Sequence, residues 1–110
     1  MSVWHVTGGR RLEGSVTVQG AKNAALPIMA ASVLAPCETE LLNVPLLKDV
    51  DTTVRILRGL GCAVSRDGDA MTIDSRGLSR AEIPHSLMRE LRSSVIFLGA
   101  LLARCGEARL

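Results

Sequence analysis

The alternation of strand and helix patterns along this chain of 110 residues predicts an α/β (α+β) fold. Three observations support this prediction. An alternating segment leads through Gly20 into an alanine-rich apolar run, an apolar face recurs at helical spacing over 50–60, and Asp67-Gly68 marks a hairpin. Taken in chain order, these elements form a βαβαββ unit, and a further helix follows it.

The first predicted strands precede Gly20. Residues 14–19 alternate small or polar side chains with β-branched ones, and a shorter strand is predicted at 4–7. Gly20 ends the second of these segments because glycine is a strong breaker of regular structure.

Lys22 and Asn23 stand where the first helix starts. The helix is predicted over 24–35 and begins either at Asn23, which can act as an N-cap, or at Pro27, which suits the first helical position. A cation is unfavourable at this positive end of the helix dipole, whereas an anion is bound well there. Two interpretations remain: Lys22 binds a phosphate or carboxylate, or it is a solvated surface lysine.

The second helix is predicted over 50–60, after a strand at 38–44. Asp49 is a plausible N-cap for this helix, and Gly61 is placed to end it in the left-handed conformation.

The rest of the chain is predicted to contain a hairpin with strands at 63–66 and 70–74, then a polar loop and a helix that runs to Arg104. This helix starts at Ser86 or restarts at Ser93-Ser94, since both can cap. Its buried stripe is predicted to be Leu87, Leu91, Val95, Leu98 and Leu102.

The segments 31–41 and 99–110 have similar patterns: an apolar helix end, a cysteine and then a charged extended stretch. Their offset of 68 or 69 residues indicates either the start of a second structural repeat or a chance similarity of two alanine- and leucine-rich helices. Residues 107–110 are expected to begin a further extended element.

Composition excludes several classes of function. The net charge is only +2, and Trp4 and Phe97 are the only aromatic residues, so a nucleic-acid surface is not supported and the core should be aliphatic. The longest apolar run, 95–103, is nine residues, too short to span a bilayer. The start of the chain lacks a signal-peptide pattern, so a soluble cytoplasmic protein without membrane contact is expected.

The three cysteines, Cys37, Cys62 and Cys105, are far apart in sequence and far from both histidines. We therefore expect no metal site, no disulfide and no cofactor, with each cysteine a small buried hydrophobe.

Four motifs resemble the UDP-N-acetylglucosamine 1-carboxyvinyltransferase family of enolpyruvyl transferases: GxVxVxGAKNAALP at 14–27, NVPxLKDVDT at 43–52, GLG at 59–61 and MxxxRxS at 88–94. The related shikimate-pathway transferases carry Lys-Ser where this chain has Lys22-Asn23, which favours the sugar-nucleotide family.

The resemblance implies a fold of two lobes, each with three βαβαββ units around buried helices. Members of the family are several times longer, so the chain resembles an N-terminal fragment that holds the first unit and part of the second. It also implies that residues 1–20 belong to the second lobe and residues 21–110 to the first.

The implied reaction transfers the enolpyruvyl group of phosphoenolpyruvate to the 3-hydroxyl of UDP-N-acetylglucosamine, the first committed step of peptidoglycan synthesis. By resemblance Lys22 binds phosphoenolpyruvate, Asn23 hydrogen-bonds the substrates, and Arg92 contacts them from the other side of a cleft. The alternative for Arg92 is an exposed helical arginine. Asp49 has a supporting role or is simply the N-cap.

The family's proton-donating cysteine lies in a Pro-Gly-Gly-Cys loop, which would follow Leu110, and Cys105 does not match it. The resemblance therefore implies no catalytic residue in this segment, which should be inactive without the remainder of its chain. Two alternatives remain: a small α/β module in which Lys22 binds an anion without catalysis, and a shikimate-type transferase fragment, which Asn23 disfavours.

Overall fold

The computed structural model describes residues 2–110. Its elements are α1 (Lys22–Ala31), β1 (Glu38–Leu41), α2 (Lys48–Leu60), β2 (Ala63–Asp67), β3 (Ala70–Asp74), α3 (His85–Glu90), a 3₁₀ segment (Arg92–Ile96) and α4 (Phe97–Cys105). Helices packed on a small sheet confirm the predicted α/β (α+β) class.

The sheet has three antiparallel strands in the order β1-β3-β2. Strand β3 is central and buries Met71 and Ile73, whose alternate positions face the helices. Asp67 pairs with Ala70, so the tight turn consists of Gly68 and Asp69, one residue later than predicted. Gly68 adopts a φ of 61°, a left-handed conformation that glycine accepts without strain.

The core lies between the sheet and α1, α2 and α4. Most of it is aliphatic, as predicted, but its largest fully buried side chain is Phe97. The other large buried side chains are Met29, Ile56, Leu57, Leu60, Met71, Ile73 and Leu101. Arg104 of α4 donates to the carbonyls of Val33 and Ser75 at 3.0 and 3.1 Å and so joins α4 to the ends of α1 and β3.

Residues 2–20 form an exposed arm, and the predicted strands at 4–7 and 14–19 are absent from it. The radius of gyration is 17.1 Å, against roughly 13 Å for a compact chain of this length. The alternating pattern is not realised because a strand needs a hydrogen-bonding partner, and none of the described residues pairs with this segment.

Gly20 joins the arm to the folded part of the chain through a close backbone contact. A Cβ atom at this position would lie 1.8 Å from the carbonyl oxygen of Asn43, so only glycine fits without displacement. Asn43 itself has a φ of 58°, which ends β1 three residues before the predicted limit of 44.

Helix α1 begins at Lys22, which confirms that this lysine stands at the start of the helix, two residues before the predicted limit of 24. Asn23 is not the N-cap, and Pro27 is not the first residue. The N-cap is Ala21, without a side-chain hydrogen bond. Pro27 lies inside the helix and cannot donate to the Asn23 carbonyl. The helix ends at Ala31, four residues earlier than predicted.

Helix α2 begins at Lys48, so the prediction that Asp49 is its N-cap is wrong. Leu47 is the N-cap, and Asp49 lies in the first turn, where a negative charge complements the helix dipole. Gly61 ends the helix at a φ of 107°, as predicted.

The predicted third helix is interrupted at Leu91, which has extended backbone angles (φ −131°, ψ 108°). The interruption moves the buried face by one position, so the later part of the predicted stripe is wrong. Leu87 and Leu91 are buried as expected, but Ser94, Phe97 and Leu101 are buried in place of Val95, Leu98 and Leu102.

Of the last residues, Arg109 forms an isolated parallel bridge with Glu82, whereas no strand is formed over 107–110. Of the cysteines only Cys62 is buried, so the prediction is wrong for Cys37 and Cys105. Cys105 ends α4 whereas Cys37 lies beyond α1, so the two suggested repeats differ locally, and the repeat itself stays a prediction.

Candidate functional site

The four residues singled out from the sequence line one cleft of about 360 Å³. Lys22 and Asn23 come from the start of α1, Asp49 from the first turn of α2, and Arg92 from the first position of the 3₁₀ segment. The fold thus brings together side chains that are up to 70 residues apart in the chain. The remaining lining residues are Leu26, Glu90, Leu91 and Ser93.

An ion pair joins the two helix starts at this cleft. The Lys22 Nζ lies 3.0 Å from the Asp49 Oδ2, and the side chains are 46% and 31% exposed. Since each helix presents unpaired N–H groups at its first turn, the positive ends of two dipoles converge here. Asp49 offsets this positive field and holds the ammonium group at the cleft.

Arg92 reaches the same cleft from the 3₁₀ segment. It is exposed, and among residues 2–110 it takes part in none of the salt bridges. The sequence analysis leaves two possibilities for Arg92, a substrate contact or an exposed helical arginine. The extended backbone at Leu91 directs Leu91 into the core and leaves Arg92 at the cleft.

Glu90 and Ser93 also line the cleft, although no sequence motif marks them as site residues. Glu90 ends α3 and accepts a hydrogen bond from Arg55 of α2, with the Nη1 to Oε2 distance 2.6 Å. The two residues are 35 positions apart, so no local pattern could have linked them. Ser93 was considered only as a helix cap.

Groups with shifted pKa values lie away from this cleft. Hydrogen bonds from Arg76 lower the pKa of the Asp74 carboxyl from 3.8 to about 2. Burial raises the pKa of the Cys62 thiol. Neither Asp74 nor Cys62 lines the cleft.

Two other concavities differ in character. A groove of about 220 Å³ between α1 and the end of β1 is mostly apolar. A cleft of about 380 Å³ is lined by Arg80, Ala81, Glu82, Glu107 and Arg109, with both signs of charge. Within residues 2–110, no three His, Cys, Asp or Glu side chains are grouped to hold a metal ion, and no helix is long and apolar enough to cross a membrane.

A sequence model of the EPSP synthase (3-phosphoshikimate 1-carboxyvinyltransferase) family matches residues 6–110. Among curated proteins, the chain is similar to UDP-N-acetylglucosamine 1-carboxyvinyltransferases. It is 46% identical over 104 residues to the one from Geotalea uraniireducens, covering 94% of this chain and 25% of the relative. The protein from Acinetobacter baylyi is 45% identical over 109 residues, covering 99% of this chain and 26% of the relative.

Among solved structures, the chain is similar to the enolpyruvyl transferase NikO from Streptomyces tendae. The TM-score is 0.79 at 32% identity, covering 94% of this chain and 24% of NikO. The chain therefore spans about a quarter of the length of the relatives that it matches.

Proposed function

The chain belongs to the EPSP synthase family of carboxyvinyltransferases, and on this premise we propose that it serves in transfer of the enolpyruvyl group from phosphoenolpyruvate to the 3-hydroxyl of UDP-N-acetylglucosamine. The observation that carries the proposal is the convergence of Lys22, Asn23 and Arg92 on one cleft where two helices start. The relatives named for this reaction support the choice of acceptor.

The chemistry explains why the cleft needs these side chains. The hydroxyl group gives up its proton as its oxygen adds to C2 of phosphoenolpyruvate, and C3 takes up a proton. The tetrahedral intermediate then loses phosphate from C2 and a proton from C3, which restores the double bond of the enolpyruvyl group. Both substrates are anionic, so fixed cations and hydrogen-bond donors stabilise the charge that develops on the phosphate. Lys22 supplies a point charge and Arg92 a planar fork suited to carboxylate or phosphate.

In this proposal Lys22 gains a second ionic partner when substrate binds. Without ligand its ammonium group pairs with Asp49, which keeps it oriented at the helix start. With phosphoenolpyruvate bound, the phosphate adds a stronger partner at the same place, where the helix N–H groups also favour an anion. Asn23 donates its amide hydrogens to the substrates beside this point.

The proton donor for C3 is assigned to a residue outside this segment, because none of the three cysteines lines the cleft. We therefore propose that the segment binds substrate and acts only with the remainder of its chain. Residues 1–20 are proposed to pair within the second lobe, and residues 21–110 to form the first part of the first lobe. The apolar groups exposed along the arm support this assignment.

The biological setting follows from the same proposal. We place the protein in the cytoplasm and in peptidoglycan synthesis, and through it in cell wall biogenesis, cell shape, the cell cycle and division. No nucleic acid, membrane or cofactor has a role in the proposed reaction.

The test uses a protein of the relatives' full length that carries this segment. It is incubated with phosphoenolpyruvate and UDP-N-acetylglucosamine, and both released phosphate and the mass of the sugar product are measured. Release of phosphate with formation of the enolpyruvyl sugar nucleotide supports the proposal. Binding of phosphoenolpyruvate without turnover of any acceptor would favour the anion-binding module.

The name of the matching family supports a second candidate, transfer to 3-phosphoshikimate. The same assay with 3-phosphoshikimate as acceptor separates the two. Turnover of that acceptor alone would establish the shikimate-type reaction and contradict the argument from Asn23.

A further inference from the structure

We propose that Arg55 sets the charge balance of the cleft by neutralising Glu90, an inference that rests on the function proposed above. Arg55 lies in α2 and Glu90 ends α3. Their Nη1 and Oε2 atoms are 2.6 Å apart, and their side chains are 57% and 35% exposed. Arg55 does not line the cleft, so it acts through Glu90 as a positioning residue.

The charges around the cleft show why such a residue is needed. Two cations, Lys22 and Arg92, and two carboxylates, Asp49 and Glu90, line it, so their formal charges cancel. An anionic substrate binds poorly beside an uncompensated carboxylate. Pairing with Arg55 removes the effect of Glu90 and leaves the cleft positive.

Helix α2 provides one ionic partner for each of two neighbouring helices, α1 and α3. Asp49 in its first turn pairs with Lys22 on α1, and Arg55, six positions later, pairs with Glu90 on α3. Glu90 immediately precedes the buried, extended Leu91 and then Arg92. The second pair therefore also holds the end of α3 beside the point where Arg92 enters the cleft.

The test is a double-mutant cycle in a full-length transferase that carries this segment, with the KM for phosphoenolpyruvate as the readout. Arg55→Gln exposes the Glu90 charge to the substrate and should raise KM about fivefold, the scale of one exposed ion pair. Glu90→Gln leaves the positive charge of Arg55 without its partner near the cleft and should lower KM. The double variant should return close to the unmodified value.

Opposite signs for the two single variants distinguish charge balance from a merely structural ion pair, which would make both variants equally harmful. Arg89→Gln is the matched control. Arg89 lies in α3 beside Glu90 and does not line the cleft, and its substitution removes the same positive charge as Arg55→Gln. The effect of Arg55→Gln should also decrease at high salt, because partly exposed charges are screened.

Equal increases of KM in both single variants, or an unchanged KM in Arg55→Gln, would overturn the role of Arg55. Failure of the unmodified protein to transfer the enolpyruvyl group would instead overturn the function on which this inference rests. The two failures are thus separate measurements.

Discussion

Replacing Lys22 with alanine should separate substrate binding from folding. The substitution removes one ammonium group from the cleft and breaks its 3.0 Å contact with Asp49. It leaves the packing of α1 intact, because the buried side chains of this helix are Leu26, Met29 and Ala30.

The expected loss of stability is small. A partly exposed ion pair contributes at most about 1 kcal/mol. A cation at a helix start costs about 0.3–1 kcal/mol, which the substitution recovers. The two effects nearly cancel, so we expect the melting temperature to change by about 2 °C or less.

The expected loss of activity is large. Removing one fixed group that stabilises developing charge typically costs about 3–4 kcal/mol, a reduction of about 10²- to 10³-fold in kcat. We therefore expect that the Lys22→Ala protein folds normally but turns over substrate poorly.

Steady-state kinetics and a thermal melt of the full-length protein measure both quantities. Lys48→Ala is the matched control, because Lys48 is exposed at the start of α2, is the chain's only other lysine and does not line the cleft. Near-normal turnover in a well-folded Lys22→Ala protein, or an equal loss in Lys48→Ala, would show that Lys22 does not bind the substrate phosphate.

Four further predictions follow from other parts of the structure. Arg92→Lys should weaken binding of at least one substrate about tenfold, since lysine lacks the planar fork; unchanged titration calorimetry for both substrates would contradict this. Gly20→Ala should destabilise the protein by about 1–3 kcal/mol because the new Cβ atom would collide with the Asn43 carbonyl oxygen. Gly59→Ala is the control in the thermal melt and should be harmless, because no atom beyond its chain neighbours and the local helix backbone lies within 4 Å of a Cβ at that position. The Asp74–Arg76 pair should contribute to the free energy of unfolding above the ordinary Asp pKa of 3.8, and this contribution should be lost as pH falls through about 2. The difference in melting temperature between the unmodified protein and Arg76→Ala should therefore shrink from pH 5 to pH 2. The 110-residue segment alone should be inactive and self-associate through Val95, Leu98 and Leu102, which are 39–56% exposed; monomeric sedimentation with a sharp melt would show otherwise.

Local patterns in the sequence predicted most of the elements. The hairpin, the end of α2 at Gly61 and the position of Lys22 in the first turn of α1 depend on turn chemistry and helical spacing within a few residues. The residue types at 22, 23 and 92 also carried the family resemblance. These features could be predicted because each depends on neighbours close in the chain.

Contacts between distant residues decided the rest. The arm forms no strand because none of the described residues offers it a hydrogen-bonding partner, although its alternating pattern is typical of a strand. Leu91 leaves the helix and moves the buried face from Val95 to Ser94, which periodicity within one segment cannot reveal.

The amino-acid sequence was enough to predict the α/β class, the residue types at the candidate site and the family that they resemble. Packing between helices was needed to show that Asp49 is an ionic partner of Lys22 and not a helix cap, and that Glu90 and Arg55 belong to the surroundings of the same cleft. The physical reason is that a charge acts through space: its effect is set by the atoms within a few ångströms, and packing of α1, α2 and α3 brings those atoms together from separate parts of the chain.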